Sequence, residues 1–222
     1  MKKNLSKRIF TSIVLSTILL ICLLFDYFHY FHKYLWLLLL IIASIISFFE
    51  FKKLIKKIWK KKQAPIYFMS LISFFYLLFF TYTAFNMGKH EPTMLYVLLV
   101  CILSDIGGYA IGRSVGGKKL TKISPNKTIS GSIGSFLFSL IPLIFIFLIY
   151  EMSNRNIYIL IFMTLILSFM CQAGDLIISY FKRKAKVKDT GTILPGHGGL
   201  LDRIDGIIFA IPGFFILDKI FF

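Results

Sequence analysis

Residues 34–51 read YLWLLLLIIASIISFFEF, and KKLIKKIWKKK follows at once over residues 52–62. A long apolar run closed by a block of lysines reads as a helix that crosses a bilayer and stops at its charged surface. About 20 helical residues span roughly 30 Å of hydrocarbon, and lipid offers the backbone no hydrogen bonds, so each crossing must satisfy its own as a helix. Six further runs have the same character: Ile9–Phe25, Ile66–Phe85, Met94–Ile111, Ser132–Tyr150, Ile157–Tyr180 and Ile204–Phe221. The expected fold is all-α, a polytopic transmembrane helix bundle of about seven spans.

Composition agrees. The 222 residues are 57% hydrophobic and 16% charged, with a mean hydropathy of +0.79, whereas a soluble domain carries about 25% charged residues. The 26 Lys and Arg against 10 Asp and Glu give a formal charge of +16. That excess suits anionic lipid or an anionic substrate, and nucleic acid is not expected as a partner, because so apolar a chain has no soluble basic face to offer. The basic residues sort by loop. Lys2, Lys3, Lys7 and Arg8 precede the first run, seven lysines lie between Lys52 and Lys62, five basic residues between Arg113 and Lys127, and six between Lys182 and Arg203. Only Lys33, Lys89, Arg155 and Lys219 fall on the other side. The positive-inside rule makes the rich side, with the amino terminus, cytoplasmic.

The basic start resembles a signal peptide, but no small-residue cleavage site follows, so a retained first span is expected. Cys22, Cys101 and Cys171 lie inside apolar runs and read as small buried hydrophobes. The Lys52–Lys62 stretch, with Leu54, Ile55, Ile58 and Trp59 between its lysines, reads as an interfacial amphipathic helix without a catalytic role.

The chain divides by polarity into a 1–93 transmembrane region of about three spans and a 94–222 region that carries the chemistry. The first three spans hold almost nothing polar. The fourth holds Asp105, the sixth Gln172 and Asp175, and Asp202 and Asp205 stand at the start of the seventh. Ionisable groups inside membrane helices are costly to insert and usually functional. Asp105 lies seven residues before Gly112 and Asp175 seven before Lys182, each about 10 Å inside its cytoplasmic helix end at 1.5 Å per residue. Asp202 and Asp205, three apart, share a helix face. Either these carboxylates line one cavity open to the cytoplasm, or Asp105 and Asp175 pair with lysines that reach back to lock the bundle. Carboxylates beside basic, glycine-bearing loops suit Mg²⁺ and substrate phosphates, and so phosphoryl or nucleotidyl transfer onto a lipid. The run Gly112–Lys118 imitates a P-loop, but Lys119 stands where Ser or Thr would bind Mg²⁺ and a span precedes it where a strand is needed.

From Ser179 the chain reads Ser-Tyr-Phe-Lys182-Arg183, four residues, then Lys188-Asp189-Thr-Gly-Thr-Ile-Leu-Pro195-Gly-His197-Gly198-Gly199-Leu-Leu-Asp202-Arg203-Ile-Asp205. This resembles the signature of the phosphatidate cytidylyltransferases, the CDP-diacylglycerol synthases. Ser104-Asp105-Ile-Gly-Gly-Tyr109, Gly112-Arg113 and Ile123-Ser-Pro-Asn-Lys127-Thr128 with Gly131 look like the rest of the pattern, so the resemblance covers about Ser104–Gly206. It implies transfer of CMP from CTP to phosphatidic acid, giving CDP-diacylglycerol and pyrophosphate, and a homodimer. The Lys-, Ile- and Phe-rich composition suits a bacterium, so with the loop charges the expected place is a bacterial cytoplasmic (inner) membrane with the active site facing the cytoplasm. By resemblance Asp175 and Asp202 hold Mg²⁺, with room for a monovalent cation such as K⁺ nearby. Lys182, Arg183 and Asp205 join them as catalytic candidates, Asp205 either as a further ligand or orienting Arg203. Ser179, Lys188, Asp189, His197, Gly198, Gly199, Arg203, Asp105 and Lys127 are expected to bind substrate. Ser130 stands where the family often has Glu or Gln, and Ile106 where a Thr usually follows Asp105. The amino-terminal part looks shorter than in typical members.

Three other readings share some features. A CTP-dependent polyprenol or phytol kinase would need a lipid hydroxyl as acceptor. A CDP-alcohol phosphotransferase would need a longer acidic frame than Asp202-Arg203-Ile-Asp205-Gly206. An ion-coupled transporter would favour paired repeats, whereas here the polar residues sit in one half.

Overall fold

A computed structural model of the chain describes residues 29–60, 62–88, 91–144, 156–196 and 198–221. Among these residues there are six named helices: α1 (His29–Trp59), α2 (Gln63–Met87), α3 (Glu91–Ser114), α4 (Ile129–Ser139), α5 (Ile157–Lys184) and α6 (Leu201–Phe221). Two isolated bridges, Lys119 with Thr128 and Leu194 with Gly198, stand in place of any sheet. The all-helical expectation holds.

Four helices are long and apolar enough to cross a membrane, at Tyr34–Trp59, Gln63–Met87, Pro92–Ser114 and Ile157–Lys184. They correspond to the second, third, fourth and sixth expected runs. The run Ile9–Phe25 lies outside the described residues. The fifth run begins as α4 and stays helical and apolar to Ile144, and residues 145–150 lie outside the described residues. The seventh is α6, 21 residues with Pro212 inside, whose apolar stretch also carries Asp205, Asp218 and Lys219.

The lysine-rich stretch after Phe51 differs from the expectation. It is no separate interfacial helix, because α1 continues through it to Trp59. Leu54 and Ile55 are fully buried and Phe51 meets Phe181 edge to face at 5.0 Å. Leu54 and Ile55, between the lysines, therefore pack into protein. Lys60, at φ 23°, ends the helix, and α2 restarts with Pro65 in its first turn, where a missing N–H leaves no intrahelical bond unmade.

The chain falls into two compact units. One holds the described residues up to Glu91 together with Phe181–Ile204, the other Pro92–Tyr180 with the residues from Asp205 onward. In the first, α1 and α2 run antiparallel: Trp36 Nε1 donates to the Ala84 carbonyl at 3.4 Å, Ser44 and Thr81 share a 2.7 Å hydroxyl contact, and Phe48 meets Phe74 at 6.0 Å. In the second, α3 and α4 meet through glycines. A Cβ added at Gly107 would lie 2.5 Å from the Gly134 carbonyl, and one at Gly131 2.7 Å from the Gly108 carbonyl. On α5 and α6, a Cβ at Gly174 would lie 2.6 Å from the Asp205 carbonyl, and one at Gly206 3.0 Å from that of Cys171. Small residues let helix backbones approach where no hydrophobic effect drives them together.

The distribution of polarity is that of a lipid-embedded chain. Ile45, Phe49, Phe68 and Phe75 are exposed, while the hydroxyl residues Ser47, Thr83, Ser104, Ser139, Thr164 and Ser168 are 0% exposed. Soluble monomers rarely expose large contiguous apolar surfaces. A surrounding of hydrocarbon removes the penalty, and inward hydroxyls become useful contacts.

Candidate active site

In the first unit the signature from Lys182 to Asp202 folds around one carboxylate. α5 ends at Lys184, where Ala185 N bonds to the Phe181 carbonyl and Val187 N to that of Lys182. Lys186 takes the left-handed cap conformation at φ 55°, a place more often filled by glycine. The last turn of α5 thus presents Lys182, whose Nζ meets Asp202 Oδ1 at 2.8 Å; the two side chains are 12% and 6% exposed. The other oxygen, Oδ2, accepts from Thr190 N at 2.7 Å, Thr190 Oγ1 at 3.0 Å and Gly199 N at 3.0 Å. Burial pushes this carboxyl up, but the bonds from Lys182, Thr190 and Gly199 outweigh it and hold the group below the ordinary carboxylate range. Gly198 stands at φ +89°, where an added Cβ would lie 3.0 Å from both Asp189 Cβ and Asp202 Oδ2. Only glycine suits that turn, in conformation and in room.

Glu50 is the residue that sequence reasoning missed. It sits in α1 and is buried. Its Oε2 accepts from Thr190 Oγ1 and Leu201 N, both at 2.9 Å, and its Oε1 from Leu200 N at 3.1 Å. The carboxylate therefore satisfies N–H groups at the start of α6, which have no partner within the helix. Gly191 and Gly199 leave it space, since a Cβ at either would collide with its oxygens. The signal was available, a single acidic residue inside an apolar run. The adjoining lysine block drew the reading toward topology instead.

The second unit holds the other group. Asp175, two turns before the end of α5, forms an ion pair with Lys127 and accepts from Ser179 Oγ at 3.2 Å. Asp105 on α3 lies within electrostatic reach of both Asp175 and Lys127. Lys127 comes from the α3–α4 connection, folded on itself by Leu120 N to the Lys127 carbonyl at 2.8 Å and Ile129 N to the Lys118 carbonyl at 3.0 Å. Thr128 caps α4 by accepting from Gly131 N at 3.0 Å. Ser130 donates to the Gly116 carbonyl, a tie within the loop. A helix, α3, precedes Gly116 and Gly117, so the P-loop imitation is dismissed on structure as well. Deeper in this unit, Ser132 donates to Gln172 at 2.6 Å and Ser104 meets Ser168 at 2.9 Å. Asp205 Oδ1 accepts from its neighbour Gly206 N at 2.9 Å.

The expected site residues thus gather as two groups. Lys182, Gly198, Gly199 and Asp202 form one, with Asp189 beside Gly198; Asp105, Lys127, Asp175 and Ser179 form the other. Arg183, Lys188 and Arg203 are exposed near the first group, and His197 lies outside the described residues. The lysine-pairing alternative is realised in part, since Asp175 does hold Lys127. Among the described residues no three His, Cys, Asp or Glu side chains could by themselves hold a metal ion. Mg²⁺ needs no such cage; one or two carboxylates with water and substrate phosphates suffice. Asp175 and Asp202 are hard oxygen donors of that kind, each beside an ammonium, and their chemistry fits the ion.

The chain is 50% identical over 121 residues to a phosphatidate cytidylyltransferase of Staphylococcus haemolyticus, covering 54% of this chain and 46% of that protein. It is 47% identical over 135 residues to one of Staphylococcus aureus, covering 60% and 50%, and 45% identical over 143 residues to one of Staphylococcus saprophyticus, covering 64% and 52%. The chain spans about half the length of the curated relatives it matches. The model of the cytidylyltransferase family matches residues 2–221. A match that leaves out only the first and last residues makes this chain a member of the cytidylyltransferase family.

Proposed function

We propose that the protein transfers CMP from CTP to phosphatidic acid, giving CDP-diacylglycerol and pyrophosphate. The observation that carries this reading is Asp202, held on one oxygen by Lys182 and on the other by the Thr190–Gly199 loop, within the stretch that resembles the cytidylyltransferase signature. An oxygen of the lipid phosphate forms a bond to the α-phosphorus of CTP, and the bond from that phosphorus to the bridging oxygen of pyrophosphate breaks. Such transfers are catalysed mainly by placing the reactants and neutralising charge.

Asp175 and Asp202 would hold Mg²⁺, which when bound offsets charge on the phosphates. The chain's own cations do the rest. Lys127 and Lys182, resting against carboxylates, can turn to phosphate oxygens when the nucleotide arrives. Arg183 offers a planar donor set to a second phosphate. Ser179 can donate to Asp175 or to an oxygen of substrate, and Lys188, Arg203 and Asp189 border the nucleotide. On this reading the basic loops and the site face the cytoplasm, as the positive-inside rule requires, and the active form is a homodimer.

The test is turnover by the purified protein of CTP labelled on the α-phosphate, offered phosphatidic acid, phytol or no lipid. Label should enter CDP-diacylglycerol with phosphatidic acid alone, with one pyrophosphate released per product. Label left in CDP with phytyl phosphate as the other product, or no lipid-dependent turnover, would overturn the reading.

A further inference from the structure

We propose that Glu50 is a positioning residue for this transfer: from a different helix it fixes the loop and helix start that aim Asp202. The inference rests on the proposed function for what Asp202 does, and on geometry for the rest.

Three donors converge on the Glu50 carboxylate, and each belongs to the frame around Asp202. Leu200 and Leu201 supply the two N–H groups just before Asp202, and Thr190 supplies the hydroxyl that also lies 3.0 Å from Asp202 Oδ2. The same Thr190 gives Asp202 its shortest described hydrogen bond, through the backbone N–H at 2.7 Å. Glu50 therefore clamps both sides of the Asp202 pocket, the incoming loop at Thr190 and the outgoing helix at Leu201. A buried carboxylate is held in a protein only where hydrogen bonds compensate it. Here all of its described compensation comes from residues 190–201, some 140–150 positions along the chain. Gly191 and Gly199 line the clamp because any larger residue would displace the carboxylate. Nothing places Glu50 at the reacting phosphates; it acts through its neighbours, as outer residues orient a metal's ligands.

The variant Glu50→Gln keeps the shape but turns one acceptor into a donor facing N–H or O–H groups. Partners of this outer kind typically alter activity or metal affinity 10- to 100-fold, so kcat should fall by about 10-fold or more, with KM for CTP within about twofold. The Mg²⁺ concentration giving half-maximal rate should rise. A readout independent of turnover is trypsin cleavage after Lys186 and Lys188 of the detergent-solubilised protein. It should quicken at least about fivefold as the loop opens locally, while the midpoint of thermal unfolding stays within a few degrees. Gly191→Ala, which pushes the same carboxylate aside with its charge intact, should reproduce both effects and decides the matter if Glu50→Gln does not fold. Wild-type kcat with an unchanged tryptic rate in either folded variant would overturn the proposal, as would a loss carried wholly by KM for CTP. Absence of CTP turnover by the wild type would overturn the proposed function instead, and the tryptic comparison would still judge the clamp.

Discussion

Asp202 receives four hydrogen bonds on two oxygens, and its low pKa has a consequence with a definite sign. A group whose folded value lies below its unfolded value, about 3.9 for Asp, stabilises the fold above that unfolded value and loses the effect as pH falls through the folded one. In magnesium-free buffer the wild type should therefore unfold at a higher temperature than Asp202→Asn, by a constant margin from pH 8 to about pH 5, with the gap closing only below about pH 4. A gap already closed at pH 6 would contradict the bonding described. Either Asp202→Asn or Asp175→Asn should reduce turnover by about 100- to 1000-fold, in the range of other preorganised charge contacts, with insertion into membranes unchanged by fractionation. Thr190→Val keeps volume and removes a buried hydroxyl shared by two carboxylates. It should cost about 1–3 kcal/mol in chemical unfolding. Asp202 and Lys182 are both singled out by the sequence, since both stand in the stretch that resembles the cytidylyltransferase signature. Their pairing with each other is not, because nineteen residues of loop and helix end without periodicity lie between them. Glu50 was not legible, because a single carboxylate next to seven lysines reads as part of the charged boundary of a span.

At the scale of elements, the hydropathy of α1, α2, α3 and α5 carried the prediction, since long uninterrupted apolar runs leave no other structure in lipid. Their ends were less legible. α1 exceeds its expected limit by eight residues because Leu54 and Ile55 find protein to pack against, which no count of lysines reveals. The close approach of α3 and α4 was equally hidden, although Gly107, Gly108, Gly131 and Gly134 were in view. A glycine in sequence does not say which backbone will press on it. At Gly134 an added Cβ would lie 2.6 Å from Ile111 Cβ and 2.7 Å from the Gly107 carbonyl. Gly134→Ala should thus lower stability by about 1–3 kcal/mol, as overpacked sites do. Ile133→Ala, on the exposed side of the same helix, should change it by less than about 0.5 kcal/mol. Reversible unfolding in mixed micelles compares the two.

At the scale of the molecule, charge asymmetry between loops makes the remaining prediction. A reporter inserted between Val187 and Lys188 should read cytoplasmic, and one placed at Lys89 should read on the far side; the reverse pattern would invert the proposed orientation. The exposed aliphatic and aromatic faces, with hydroxyls turned inward, also determine which changes this chain can absorb. Leu, Ile, Val and Phe should be interchangeable across positions such as Ile45 and Phe75, because fluid acyl chains have no fixed shape to complement. A single methyl group added at Gly107, or a lost hydroxyl at Ser168, should do more harm than several such exchanges together. A saturating survey of substitutions would then come out as the inverse of a water-soluble enzyme's, forgiving of greasy replacements on the outside and strict about small polar ones within.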